Sequence, residues 1–146
     1  MSAQQNTTTI EAAFEAWNTR DWNAFTSFVS DQGVVVNEAT GQRLQGHEGW
    51  RQFWDLWATA FPDNRIVIRN LVADERTVAV EATFEGTQTG PFHTPSGDIP
   101  ASGRAIAHRY AGFYTLDDGV TVETHIYLDI LNLLHQIGVG NEAPAS

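Results

Sequence analysis

Trp50, Phe53, Trp54, Trp57 and Phe61 put five large rings on one side of a helix that begins after Gly46 and stops at Pro62. Proline disfavours helical geometry at the residue before it, and the aromatic spacing follows the helical period. A stripe this wide has to be buried against a large apolar surface, and the remaining sequence offers strands to supply it.

Two more helices precede most of that strand-forming sequence. Thr8 and Glu11 have capping-box spacing, and Ile10, Ala13, Phe14 and Trp17 recur at helical intervals, predicting a first helix that ends near Arg20. Asp21 caps a short second helix carrying Trp22, Phe25, Phe28 and Val29, before Asp31-Gln32-Gly33 breaks the period. Val34 to Glu38 reads as a strand.

Beyond Pro62, the β-branched stretches 65–73 and 77–86 flank Asp74-Glu75 and predict an antiparallel hairpin. Val78, Val80, Ala82 and Phe84 share one face of its second strand. The glycine- and proline-rich stretch 87–103 reads as a long connecting loop. Strands over 104–116 and 120–128 follow, joined by Asp117-Asp118-Gly119, and Ile130, Leu131, Leu134 and Ile137 suggest a terminal helical segment. The order predicts one α+β domain spanning 1–146, with an ordered core over 8–138 and loose tails at 1–7 and 140–146. A curved antiparallel sheet wrapped around the helices into a cone would leave an apolar mouth.

Charge and composition narrow the partners. Eighteen acidic residues against eight basic ones give a net charge of -10, with no Lys/Arg run to follow a phosphate backbone, so nucleic acid is not expected. A polar N-terminus and the lack of a long apolar run predict a soluble, cytoplasmic protein without a membrane partner. With no cysteine, chemistry falls to Asp, Glu, His, Tyr or Ser. The sequence contains no G-x-S-x-G elbow, P-loop or dinucleotide fingerprint.

Strand alternation then sorts the polar residues. His125, Tyr127 and Asp129 share one parity in the last strand, and His108, Tyr110, Gly112 and Tyr114 share one in its neighbour. A His108, His125, Tyr127 and Asp129 cluster is thereby possible, and a carboxylate in an apolar cavity would be a strengthened base. Asp129 reads equally as the N-cap of the terminal helix, and each histidine as a hydrogen-bonded strand residue. His108, His125 and Asp129 also have the residue types of a two-histidine, one-carboxylate metal site, but no compact ligand motif supports one and no metal is expected. Asn37 can reach a substrate oxygen or simply make a turn; His93 is a loop contact; Phe14, Trp17, Trp50, Trp54 and Trp57 can stack on a flat ligand or form core.

Phe14-Glu15-Ala16-Trp17-Asn18, Gly46-His47-Glu48-Gly49, Phe61-Pro62-Asp63, the stretch from Gly86 to Phe92, Tyr127-Leu128-Asp129 and Leu134-His135-Gln136-Ile137-Gly138 occur in an order that resembles the SnoaL-like polyketide cyclases. These lie within the nuclear-transport-factor-2-like superfamily. The resemblance implies a cone-shaped barrel with an apolar cavity, a homodimer or homotetramer, and a small hydrophobic or aromatic substrate. It also implies intramolecular aldol ring closure without a cofactor, Asp129 carrying the proton. His125, His108 and Asn37 are then candidate hydrogen-bond donors, with Tyr127, Tyr110, Phe14, Trp17, Trp54 and His93 around the substrate. Many relatives have a His-Trp pair where this chain has Thr124-His125. A non-catalytic binding module, or a related isomerase, dehydratase or hydroxylase, is the alternative.

Overall fold

A computed structural model describes residues 2–140. Helix α1 spans Ala3–Asn18, α2 Trp22–Thr26 and α3 Gly46–Ala60, with a short α4 at Ile130–Gln136. The strands are β1 Val29–Asn37, β2 Gln42–Gln45, β3 Arg65–Ala73, β4 Thr77–Thr87, β5 Phe92–Thr94, β6 Gly97–Ile99, β7 Ala105–Asp117 and β8 Val120–Leu128.

The first helix begins earlier than the Thr8-Glu11 spacing predicts. Ser2 and Gln5 form the capping box: Gln5 N donates to Ser2 Oγ at 3.1 Å, and Ser2 N donates to Gln5 Oε1 at 2.8 Å. Residues 3–7 are therefore helical, not a loose tail; of the expected C-terminal tail, 141–146 lie outside the described residues. Asp21 caps α2 as expected, accepting from Ala24 N at 3.0 Å. Gly46 opens α3 at φ 72°, where a side chain would also meet Asp31 O at 2.8 Å.

The principal sheet has the order β2-β1-β8-β7-β4-β3. Its neighbours are antiparallel except β1 and β8, which run parallel with Val36 opposite His125. This overturns the expected cone-shaped barrel: β2 and β3 are free edges, so the sheet stays open and is not strongly curled. The architecture is an α+β layer pair, with the mixed sheet laid over the N-terminal helices. Part of the predicted 87–103 loop is a small ribbon, β5 with β6.

The core fills the space between helices and sheet. Phe61 is fully buried and meets Trp57, Phe84 and Phe92, while Trp17 packs 4.7 Å from Trp54, centroid to centroid. Val78, Val80, Ala82 and Phe84 all face this core, as their parity predicts. No helix among the described residues is long and apolar enough to cross a membrane.

Candidate functional site

Between α1, α3 and the inner face of the sheet lies an apolar cavity of about 70 Å³. Phe14, Trp17, Trp50, Phe53 and Trp57 supply helical walls, and Ile126, Leu128 and Leu133 close the other side. Among the described residues, the polar members of its lining are His108, Tyr110, Tyr114 and Thr121. At this volume the cavity holds a few atoms, so a multi-ring ligand has to push wall side chains aside.

Three of these polar residues come from one face of β7. His108, Tyr110 and Tyr114 alternate with the exposed Ala107, Arg109 and Phe113, because successive strand residues point to opposite faces. Their β4 partners are Phe84, Ala82 and Val78, all core residues.

His108 is 4% exposed and held from α4. Its Nδ1 lies 3.3 Å from Asn132 Oδ1 and 3.4 Å from Gln136 Nε2. Gln136 also donates to Asn132 Oδ1 at 2.7 Å and accepts from Ala107 N at 3.0 Å, which fixes both amides. Gln136 Nε2 is already given to Asn132, so the Nδ1 contact taken is the shorter one to the Asn132 carbonyl oxygen, which assigns the proton to Nδ1. That leaves Nε2 as an acceptor, and it is buried with no partner among the described residues. Burial lowers the His108 pKa, against smaller upward pulls from the Asn132 bond and the Asp129 charge. The ring is thus neutral at pH 7 with one nitrogen uncommitted.

Tyr110 and Tyr114 bond to each other through their hydroxyls. Burial raises both pKa values, and the mutual bond raises that of Tyr110 while lowering that of Tyr114. One hydroxyl proton is used in this bond and the other is left over.

The expected four-residue cluster does not assemble. His125, Tyr127 and the carboxylate of Asp129 do share a parity, but β7 and β8 pair Gly112 with Ile126 and Phe113 with His125. His125 and Tyr127 consequently occupy the outer face, opposite to His108. His125 Nδ1 lies 2.7 Å from Glu38 Oε1 and Nε2 lies 2.8 Å from Glu123 Oε1. Tyr127 is 48% exposed and meets Phe113 edge-on at 5.9 Å. Asp129 is exposed, caps α4 by accepting from Asn132 N at 3.0 Å, and is not in the cavity lining. Its charge is nevertheless felt by His108.

Of the other expected contacts, Phe14, Trp17 and Tyr110 line the cavity, while Trp54 is buried behind Trp17. Asn37 is buried in a turn, its Oδ1 accepting from Ala39 N at 3.0 Å. His93 is exposed on the ribbon and bonds Asp98 at 2.7 Å. Separation of His108 from His125 dismantles the two-histidine, one-carboxylate arrangement. Among the described residues no group of three His, Asp or Glu is placed to hold a metal. Parity places Tyr114 on the His108 face without giving it a role, and Asn132 and Gln136 are given none, though the i, i+4 spacing of the two amides on the terminal helix is a usable signal.

The fold and its apolar cavity define a class: small α+β proteins with helices over an open mixed sheet and a pocket lined chiefly by aromatic and aliphatic side chains. The chain belongs to the SnoaL-like polyketide cyclase family, whose sequence profile matches residues 7–137. Solved structures agree in fold. A candidate SnoaL-like polyketide cyclase from Jannaschia sp. CCS1 superposes with a TM-score of 0.83 at 24% identity, covering 92% of each chain. AclR, a candidate hydroxylase from Streptomyces galilaeus, gives 0.81 at 20% identity over 98% of this chain and 87% of its own. TsrD from Streptomyces laurentii gives 0.79 at 25% identity over 94% and 98%. No curated protein sequence matches significantly.

Proposed function

We propose that this chain is an acid–base enzyme that closes a ring in a small enolisable substrate by intramolecular aldol addition, without a cofactor. The observation that carries this reading is His108: a buried, neutral imidazole in the cavity wall whose Nε2 has no partner among the described residues. Nε2 takes a proton from the carbon beside a carbonyl, leaving an enolate. That carbon attacks a second carbonyl of the same molecule, and the new alkoxide recovers the proton from the imidazolium. Each transfer needs only a group whose pKa lies near the working pH.

Asp129 serves this step as a positioning residue, favouring the imidazolium through its charge and holding Asn132 through the cap. His125 has no part in it. Family membership supports the reaction class, and the aromatic walls support a hydrophobic substrate.

The test compares wild type with His108→Gln, Asp129→Asn and His125→Gln, following deuterium exchange into enolisable ketones and ring closure of aromatic polyketide esters. Loss of about 100-fold or more in His108→Gln is expected, the usual scale of an acid–base residue. Asparagine still caps a helix, so Asp129→Asn reports the charge alone: a smaller loss, with the rate profile moved to lower pH. Wild-type turnover in His108→Gln would overturn the assignment, and abolition by Asp129→Asn alone would make Asp129 the base. Tight ligand binding with no exchange in any form would make the chain a binding module.

A further inference from the structure

Gly112 sits between Tyr110 and Tyr114 on the cavity face of β7 and is buried. A methyl group there would lie 2.8 Å from both Tyr114 Cε2 and Tyr114 Oη. The missing side chain is therefore the space the Tyr114 ring occupies. Residues four apart on a strand are separated by roughly 13 Å at their Cα atoms, so their hydroxyls meet only if a ring lies down along the strand. Gly112 lets Tyr114 lie down toward Tyr110, and Phe14 braces it edge-on at 5.8 Å.

The pair shares one hydrogen bond and holds two hydroxyl protons. With Tyr110 donating to Tyr114, the Tyr114 proton is free for a third oxygen, and that donation makes Tyr114 a stronger donor. Both rings belong to the same lining as His108, two and six residues away on the same strand face.

We propose that Tyr114, laid over Gly112 and backed by Tyr110, is an oxyanion-binding residue of the cavity, taking the enolate or phenolate oxygen of a planar ligand. This deepens, and rests on, the reading of the cavity as a proton-transfer site. His108 removes the proton from carbon; Tyr114 holds the oxygen on which the charge collects, where a fixed donor in an apolar site acts most strongly.

The test uses 4-nitrophenol, above its own pKa, against the isosteric 4-nitrotoluene. Wild type should prefer the phenolate. Tyr114→Phe, which keeps the ring, should weaken phenolate binding about tenfold or more and leave nitrotoluene unchanged, the scale of one hydrogen bond to a charged group. Gly112→Ala should weaken phenolate binding more than nitrotoluene binding by displacing the ring and its hydroxyl, and in a Tyr114→Phe background should remove no further phenolate preference. Thermal melting checks that each variant folds. No preference in wild type, no effect of Tyr114→Phe, or equal loss for both probes in Gly112→Ala would overturn the proposal. So would a loss confined to His108→Gln.

These measurements need no turnover. A Tyr114-dependent preference in a protein that exchanges no protons would sink the proposed reaction and leave the oxyanion site standing. Proton exchange that is unchanged in Tyr114→Phe, with no phenolate preference, would do the reverse.

Discussion

His108 and His125 stand on opposite faces of one sheet, on adjacent antiparallel strands. One ring is buried and neutral, its Nε2 without a partner among the described residues; the other is flanked by two carboxylates. The same residue type is therefore pushed toward opposite charge states by the two faces of one sheet. A neutral imidazole has one donor nitrogen, so two carboxylate bonds at His125 require the imidazolium.

Stability should respond to pH through both rings, in opposite senses. The bonds to Glu38 and then Glu123 raise the His125 pKa above its ordinary 6.5. Its contribution is full below 6.5 and disappears as pH rises through the higher folded value. For this partly exposed cluster the effect is about 1 kcal/mol or less. Melts of wild type and His125→Gln across pH 5.5 to 8.5 should show a gap that closes toward the alkaline end.

Burial depresses His108 below 6.5, so the unfolded chain binds the proton more readily. Its neutral form stabilises the fold above that value, and this is lost as pH falls through the folded pKa. Proton exchange at the cavity should fall along the same acid limb. An acid limb unchanged in His108→Gln would count against the assignment.

Asn64 ties helix α1 to the turn before β3. Its Oδ1 accepts from the Trp17 indole at 2.7 Å and its Nδ2 donates to Phe61 O at 2.9 Å, both bonds buried. Asn64→Ala strands a buried indole donor and should cost about 1–3 kcal/mol, read from the urea midpoint. Asn64→Asp keeps the acceptor and should lose less of the Trp17 bond.

Gly90 lies so close to α3 that a methyl group there would fall 2.0 Å from Thr59 O, a backbone atom. Gly90→Ala forces the chain after β4 away from the helix and should cost about 3 kcal/mol or more, as over-packing does when no flexible side chain can yield. A variant with wild-type melting would show that the segment has freedom this contact denies it.

The helices were legible because their aromatic spacing is a local property. So were the caps at Asp21 and Asp129 and the turn at Asp118-Gly119, where both residues have positive φ. Parity told which β8 residues share a face but not which face is inside. That was settled by Ile126 and Leu128, whose apolar side chains win the core and send His125 and Tyr127 out. Strand β2 and the β5–β6 ribbon are too short to carry a period. Whether the sheet closes depends on its edges meeting, which no local pattern records. The aromatic residues left pocket wall and core undecided; parity put His108, Tyr110, Gly112 and Tyr114 on one face, but not that Gly112 is space for the Tyr114 ring.

The parallel pairing of β1 with β8 makes completion of the sheet a late event in the life of the chain. Val36 has to wait for His125, which lies far along the chain from it. Until then β2 and β1 cannot join β7, and the Val35 side of β1 has no sheet beside it. Folding should therefore be gated by one long-range closure, slow for a protein this size, with the β3–β4–β7 sector formed first.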